Sequence, residues 1–199
     1  AVLCSTRWWA QPRAGRRCGR SLVRSTASSR RRWPRCSTRA GIEVAIGRHV
    51  DVAVNHDAQA VSLHQVNHPH TKHYVSDVFE VDPREVCAGR PVGLMWASPD
   101  CTFHSKARGG KPHRDRDRAR RRRGLAGVVC RWAHAVRPRV ILLENVEEFQ
   151  DWGPLTADGL PCRDRRGMSF RRWAAQLRNL GYDIEWRELR ASDYGAPTI

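Results

Sequence analysis

From Gly41 onward short apolar runs alternate with stretches of helical period, a pattern that predicts an α/β domain on a largely parallel sheet. Gly41 to His49 reads as the end of a helix, Val50 to Asn55 as a strand, and Asp57 as the cap of a helix reaching about Asn67. His73 to Asp77 follows as a short strand; Pro91 closes the next loop, and Val92 to Ser98 is a buried strand. The clearest helix carries Leu125, Val128, Val129, Trp132, Ala133 and Val136 on one face and stops at Pro138. Arg139 to Asn145 is then a strand whose centre, Val140 to Leu143, is so continuously apolar that both faces must be covered. Phe170, Trp173, Ala174, Leu177 and Leu180 mark a further amphipathic helix stopped by Gly181, and Asp183 to Leu189 a last strand.

Length and charge refine this picture. A chain of 199 residues supports one domain with a proper core and is too short for two. Its net charge of +16 favours a polyanionic partner. The charge is uneven: residues 1–40 hold 11 Arg, no Lys and no acid, whereas 41–199 hold 25 basic against 20 acidic residues, a balance of +5. Two kinds of sequence therefore meet near Gly41. Residues 1–40 form an atypical Arg-rich segment, out of frame or disordered, and 41–199 a partial catalytic domain. A second Arg-rich run, Arg108 to Arg123, interrupts the α/β pattern. Of the seven cysteines none forms a C-x-x-C pair, so neither a zinc site nor a thioredoxin-like motif is indicated, and reduced cytosolic thiols are the default. No apolar run approaches the roughly 18 residues a membrane span needs, and the Arg-rich start lacks the apolar core of a secretory signal. The expected location is cytoplasmic and nucleoid-associated.

Chemistry collects where strands end. In open α/β sheets, groups at the carboxyl ends of neighbouring strands converge on one cleft. Cys101 follows one buried strand and Glu144 another. Taken singly each is weak evidence: a cysteine is often a small core residue, and an acid at a strand end is often a cap or a surface charge. An accessible thiol in an electropositive loop is, however, a nucleophile.

The order is more specific than the residues. Ser98-Pro99-Asp100-Cys101, then Ser105, then Gly109-Gly110, then Glu144-Asn145-Val146 resembles the DNA cytosine-5 methyltransferases. Those read Pro-Cys-Gln or Ser-Pro-Pro-Cys-Gln followed by Phe-Ser, then Glu-Asn-Val. Here Asp100, Thr102 and His104 stand where proline, glutamine and phenylalanine are commoner. Ala191-Ser192-Asp193-Tyr194-Gly195-Ala196-Pro197 is similar to the family's Asn-Ala-x-Asp-Tyr-Gly-x-Pro. The resemblance covers Gly41 to Ile199. It implies a Rossmann-like, S-adenosylmethionine-dependent sheet and a monomer acting on double-stranded DNA without a metal. Cys101, Glu144, Ser105 and Asn145 form the implied catalytic set, with Cys101 adding to C6 of cytosine and Glu144 holding its N3 and 4-amino edge. The target base must be flipped out, and the run from Ser105 to Arg123 suits closing over it. Asp57, Asp77 and Pro99 form the implied cofactor set; His56 lies in a register adjacent to Asp57, for which helix capping is the competing role.

The resemblance breaks before Gly41. Members of the family begin with a strand and a Gly-rich loop that lets backbone approach the cofactor, and residues 1–40 contain nothing of the kind. Out-of-frame translation of a GC-rich gene would produce such a stretch; a basic DNA-binding arm is the competing reading. The sheet is accordingly expected to lack a normal first strand, leaving an apolar edge beside Val50 to Asn55. No target-recognition domain is identifiable, and the expected activity is weak, non-specific or absent. Two other classes compete: a non-catalytic basic DNA-binding remnant, and a cysteine hydrolase using His56, His64, His104 or His134 as base.

Overall fold

The computed structural model describes residues 2–5, 37–101 and 124–194, of which 2–5, 37–40 and 191 are described by their backbone alone. Five strands, β1 (Val2–Ser5), β2 (Val52–Asn55), β3 (Lys72–Val75), β4 (Leu94–Ala97) and β5 (Val140–Leu143), form one mixed sheet in the order β3-β2-β1-β4-β5. The pairs β2–β3 and β4–β5 are parallel. Between them β1 runs antiparallel to both neighbours, with Leu3 opposite Ala53 on one side and Trp96 on the other. The place beside β2 that sequence alone left bare is thus taken, by a strand of opposite direction. The Arg-rich stretch from residue 6 to residue 36 lies outside the described residues.

Helices cover the sheet unequally. On one face α3 (Pro83–Cys87), α4 (Ala126–Val136) and α5 (Met168–Asn179) close the main core. Val52, Val54, Met95 and Ala97 from the strands meet Trp132, Trp173 and Leu177 from the helices there. Trp132 is fully buried, as its place on the apolar stripe requires. Trp173 satisfies its indole N–H by donating to the carbonyl of Ala126 at 2.9 Å, which locks α5 to the start of α4. Among the described residues, α1 (Ser37–Ile46) covers a smaller cluster of Ile42, Val50 and Ala53 on the opposite face, with Leu94 and Trp96 packed against it. Val140 and Leu142 of β5 remain 49% and 43% exposed, so the expectation that both faces of this strand are covered does not hold. An uninterrupted apolar run fixes the strand but cannot supply the second layer.

The caps follow the sequence. Asp57 accepts from the amides of Gln59 and Ala60 at the start of α2 (Ala58–Asn67), and Gly47 and Gly181 take positive φ just past α1 and α5. Asp183 to Leu189 departs from expectation: it forms no strand. Its alternation survives as half-buried Tyr182 and Ile184, but side chains rather than a ladder hold it, through Tyr182 donating to the Pro138 carbonyl at 2.7 Å and Trp186 meeting Phe170 edge-on. Among the described residues no helix is long and apolar enough to cross a membrane.

Candidate active site

Two parallel strands deliver the chemistry side by side. The register places Ala97 of β4 opposite Leu143 of β5, so the next residues, Ser98 to Cys101 and Glu144 to Val146, leave the sheet at the same edge. The pairing continues one step beyond the strands, where the Glu144 amide donates to the Ala97 carbonyl at 3.0 Å. Asn145 then couples the two loops, its Nδ2 donating to the Pro99 carbonyl at 3.5 Å, while its Oδ1 accepts from the Val146 amide at 2.9 Å and turns the chain. Cys101 is half-buried and Glu144 exposed, so a ligand at this edge can reach both.

Sequence reading missed what holds the second loop in place. A 3-10 turn, Glu147–Asp151, follows Val146 at once and buries Phe149. The Phe149 ring stacks on Trp152 and meets Phe170 and Trp173 edge-on, with centroid separations of 5.4 to 5.7 Å. Such pairs add about 0.5–1.5 kcal/mol each beyond burial, so the turn after Asn145 is anchored to α5. The available signal was Phe149 itself, an apolar residue among acids and Gln150.

The second parallel pair brings the cofactor candidates together. Asn55 of β2 lies opposite Val75 of β3, and the Ser76 amide donates to the Asn55 carbonyl at 3.1 Å. Asp57 and Asp77 follow these strand ends. Asp57 performs the capping role foreseen for it through Oδ1 alone. Asp77 accepts from the Phe79 amide at 3.0 Å, closing the turn into Asp82, which caps α3. Pro99 follows β4, which β1 separates from β2 within the sheet, and it accepts from Asn145. Ser105, His104 and the Arg-rich run to Arg123 lie outside the described residues, as do Gly195 to Pro197; Ala191–Tyr194 forms a 3-10 turn.

Among the described residues, His56, His64 and His134 make no hydrogen bond to Cys101. His64 and His73 share a hydrogen bond of 2.6 Å between α2 and β3, and His56 and His134 are exposed.

A mixed α/β sheet with a cysteine and a glutamate on adjoining strand ends defines a class of cysteine-bearing α/β proteins. Within it the chain is placed by most of its length: the model of the C-5 cytosine-specific DNA methylase family matches residues 37–198, and the chain belongs to that family. It is similar to the Type II methyltransferase M.SacI of Streptomyces achromogenes, 28% identical over 156 residues, which cover 75% of this chain and 36% of that protein. It is also similar to the Type II methyltransferase M.Sau3AI of Staphylococcus aureus, 31% identical over 97 residues, covering 44% of this chain and 21% of that one. The chain thus spans well under half the length of either relative.

Proposed function

We propose that this chain carries the base-attacking part of a DNA cytosine-5 methyltransferase, with double-stranded DNA as substrate and S-adenosylmethionine as cofactor. The observation that supports it best is the tie between the two motif loops, in which Asn145 holds the Pro99 carbonyl and so fixes Glu144 against Cys101's loop.

In this reading the Cys101 thiolate adds to C6 of a flipped cytosine, breaking the C5–C6 double bond and making C5 nucleophilic. Glu144 binds N3 and the 4-amino group and stabilises the charge that develops on the ring. Asn145 positions the Glu144 loop, and Ser105 joins the set by its place in the sequence. S-adenosylmethionine, when bound, supplies the methyl group that C5 receives. Loss of the C5 proton then restores the double bond and expels the Cys101 thiolate. The carboxylates at the ends of β2 and β3 fit the adenosine part of that cofactor: Asp57 keeps Oδ2 unengaged for a ribose hydroxyl, with Asp77 on the adjoining strand. Activity of these 199 residues alone is proposed to be weak, non-specific or absent. The amino end of β1, not a strand-to-helix loop, lies between the carboxyl ends of β2 and β4, where a backbone cradle for the cofactor would otherwise form. The chain is proposed to act as a cytoplasmic monomer on nucleoid DNA.

Duplex DNA containing 5-fluorocytosine tests the chemistry, because fluorine cannot leave as the C5 proton does. With cofactor, the wild-type chain should form an adduct that survives denaturing electrophoresis, and Cys101→Ser should form none. DNA binding with no adduct favours the alternative, a non-catalytic basic DNA-binding remnant, which the Arg-rich composition supports.

A further inference from the structure

The loop from Trp152 to Gly167 belongs to the same edge of the sheet as Cys101 and Glu144. The far end of α5 is fixed at the opposite edge, where the Tyr182 hydroxyl donates to the Pro138 carbonyl and the Arg137 guanidinium donates to the Leu180 carbonyl, each at 2.7 Å. Twelve helical residues span roughly 18 Å, so the Met168 end of α5, and the loop feeding it, stand at the carboxyl ends of β4 and β5.

This loop is a built structure. Leu155 and Pro161 form a bridge, Thr156 closes on Leu160 through backbone and hydroxyl, and the Cys162 amide donates to the Pro154 carbonyl at 3.0 Å. At its base Gly167 donates to the Asp151 carbonyl at 3.1 Å, and Gly153 lies so close to the Arg165 carbonyl that no side chain fits there. Arg166 is committed to Asp151 at 2.7 Å. Arg163 and Arg165 are different: both are exposed, and among the described residues neither has an acidic partner, the Arg165 side chain meeting only the neighbouring Cys162 thiol.

We infer that Arg163 and Arg165 form a phosphate clamp that grips the DNA backbone beside the target cytosine. The inference rests on the proposed DNA substrate. Two exposed arginines carried on a hydrogen-bonded loop can meet phosphate with their paired N–H donors. A preformed loop also loses little conformational freedom on binding. The Arg-rich run at residues 108–123 suggests a second source of affinity, so the clamp is expected to contribute a defined share of phosphate contacts rather than all of them.

Fluorescence anisotropy of a labelled 20-base-pair duplex, titrated with the full chain at salt concentrations from 50 to 200 mM, separates these contributions. Each phosphate contact contributes about 0.9 to the slope of log affinity against log salt. Arg163→Ala combined with Arg165→Ala should therefore lower that slope by about 1.8 and weaken binding at 0.1 M salt by at least about tenfold. The corresponding double lysine variant should keep the wild-type slope. A double alanine variant with unchanged slope overturns the clamp, and so does a lysine pair that loses as much as the alanine pair. Where the wild-type chain traps 5-fluorocytosine and the alanine pair binds with its slope, the clamp alone fails. Where the wild-type chain does not bind duplex at all, the DNA reading fails with it.

Discussion

Asn145 and Pro99 lie 46 positions apart and meet at 3.5 Å, side-chain amide to backbone carbonyl. The contact joins the two strand ends that carry the proposed nucleophile and its partner acid. A bond of this length contributes at most about 1 kcal/mol to stability, so its larger effect should fall on alignment. Misplacement of a reacting group by about 1 Å can cost as much as about 100-fold in rate. Asn145→Ala should thus slow adduct formation on 5-fluorocytosine DNA by at least about tenfold while moving the thermal midpoint little. A rate equal to wild type would remove Asn145 from the machinery.

Phe149 should couple stability to chemistry. Truncating a buried phenylalanine costs about 3–5 kcal/mol, and Phe149 is the centre of the ring cluster that holds the turn after Val146. Phe149→Ala is expected to lower the unfolding free energy, read from urea titration, by an amount in that range, and Phe149→Leu by clearly less. At urea concentrations where both variants are folded, the leucine variant should trap substrate faster than the alanine one.

The two cysteines near α5 should differ sharply in reactivity. A hydrogen bond from the Arg165 side chain holds the Cys162 thiol below its usual range, whereas burial pushes Cys130 up to about 11. At pH 7.5, a moderate value chosen for the assay, iodoacetamide should modify Cys162 well before Cys130, and Arg165→Ala should slow the first reaction. Mass spectrometry of digested samples reads both. The sign for stability also follows: the folded state holds the Cys130 proton more tightly than the unfolded chain. That contribution is complete below the usual thiol pKa of 9.0 and fades as pH rises towards about 11.

Much of this arrangement was legible beforehand, and the exceptions have causes. Helix α4 was visible because six apolar residues keep one face over three turns, and Asp57 was visible as a cap because the helical period begins beside it. The place of Cys101 and Glu144 just past neighbouring strand ends was legible because each follows an apolar run that ends in a polar motif. The direction of β1 was not, since Val2–Ser5 is four residues without alternation and strand direction is settled by partners far along the chain. Asp183–Leu189 misled for a related reason: alternation describes a chain able to pair, and no ladder reaches it.

Exposed Val140 and Leu142 on an edge strand should make the proposed monomer aggregate non-specifically at high protein concentration. Leu142→Lys is expected to reduce the concentration dependence of light scattering without altering the far-ultraviolet circular dichroism. Unchanged scattering would show that this face is not the sticky one.

The reversed central strand has a consequence for how the molecule opens. β2–β3 and β4–β5 are each parallel units, and within the sheet only the four residues of β1 join them, with 31 residues separating Ser5 from Ser37. So short a ladder, between residues so far apart in sequence, leaves little to hold the two units together. Amide protons of β1 should therefore exchange with solvent through a partial opening that leaves the α4–α5 layer protected, so the sheet would part along its middle before the domain unfolds.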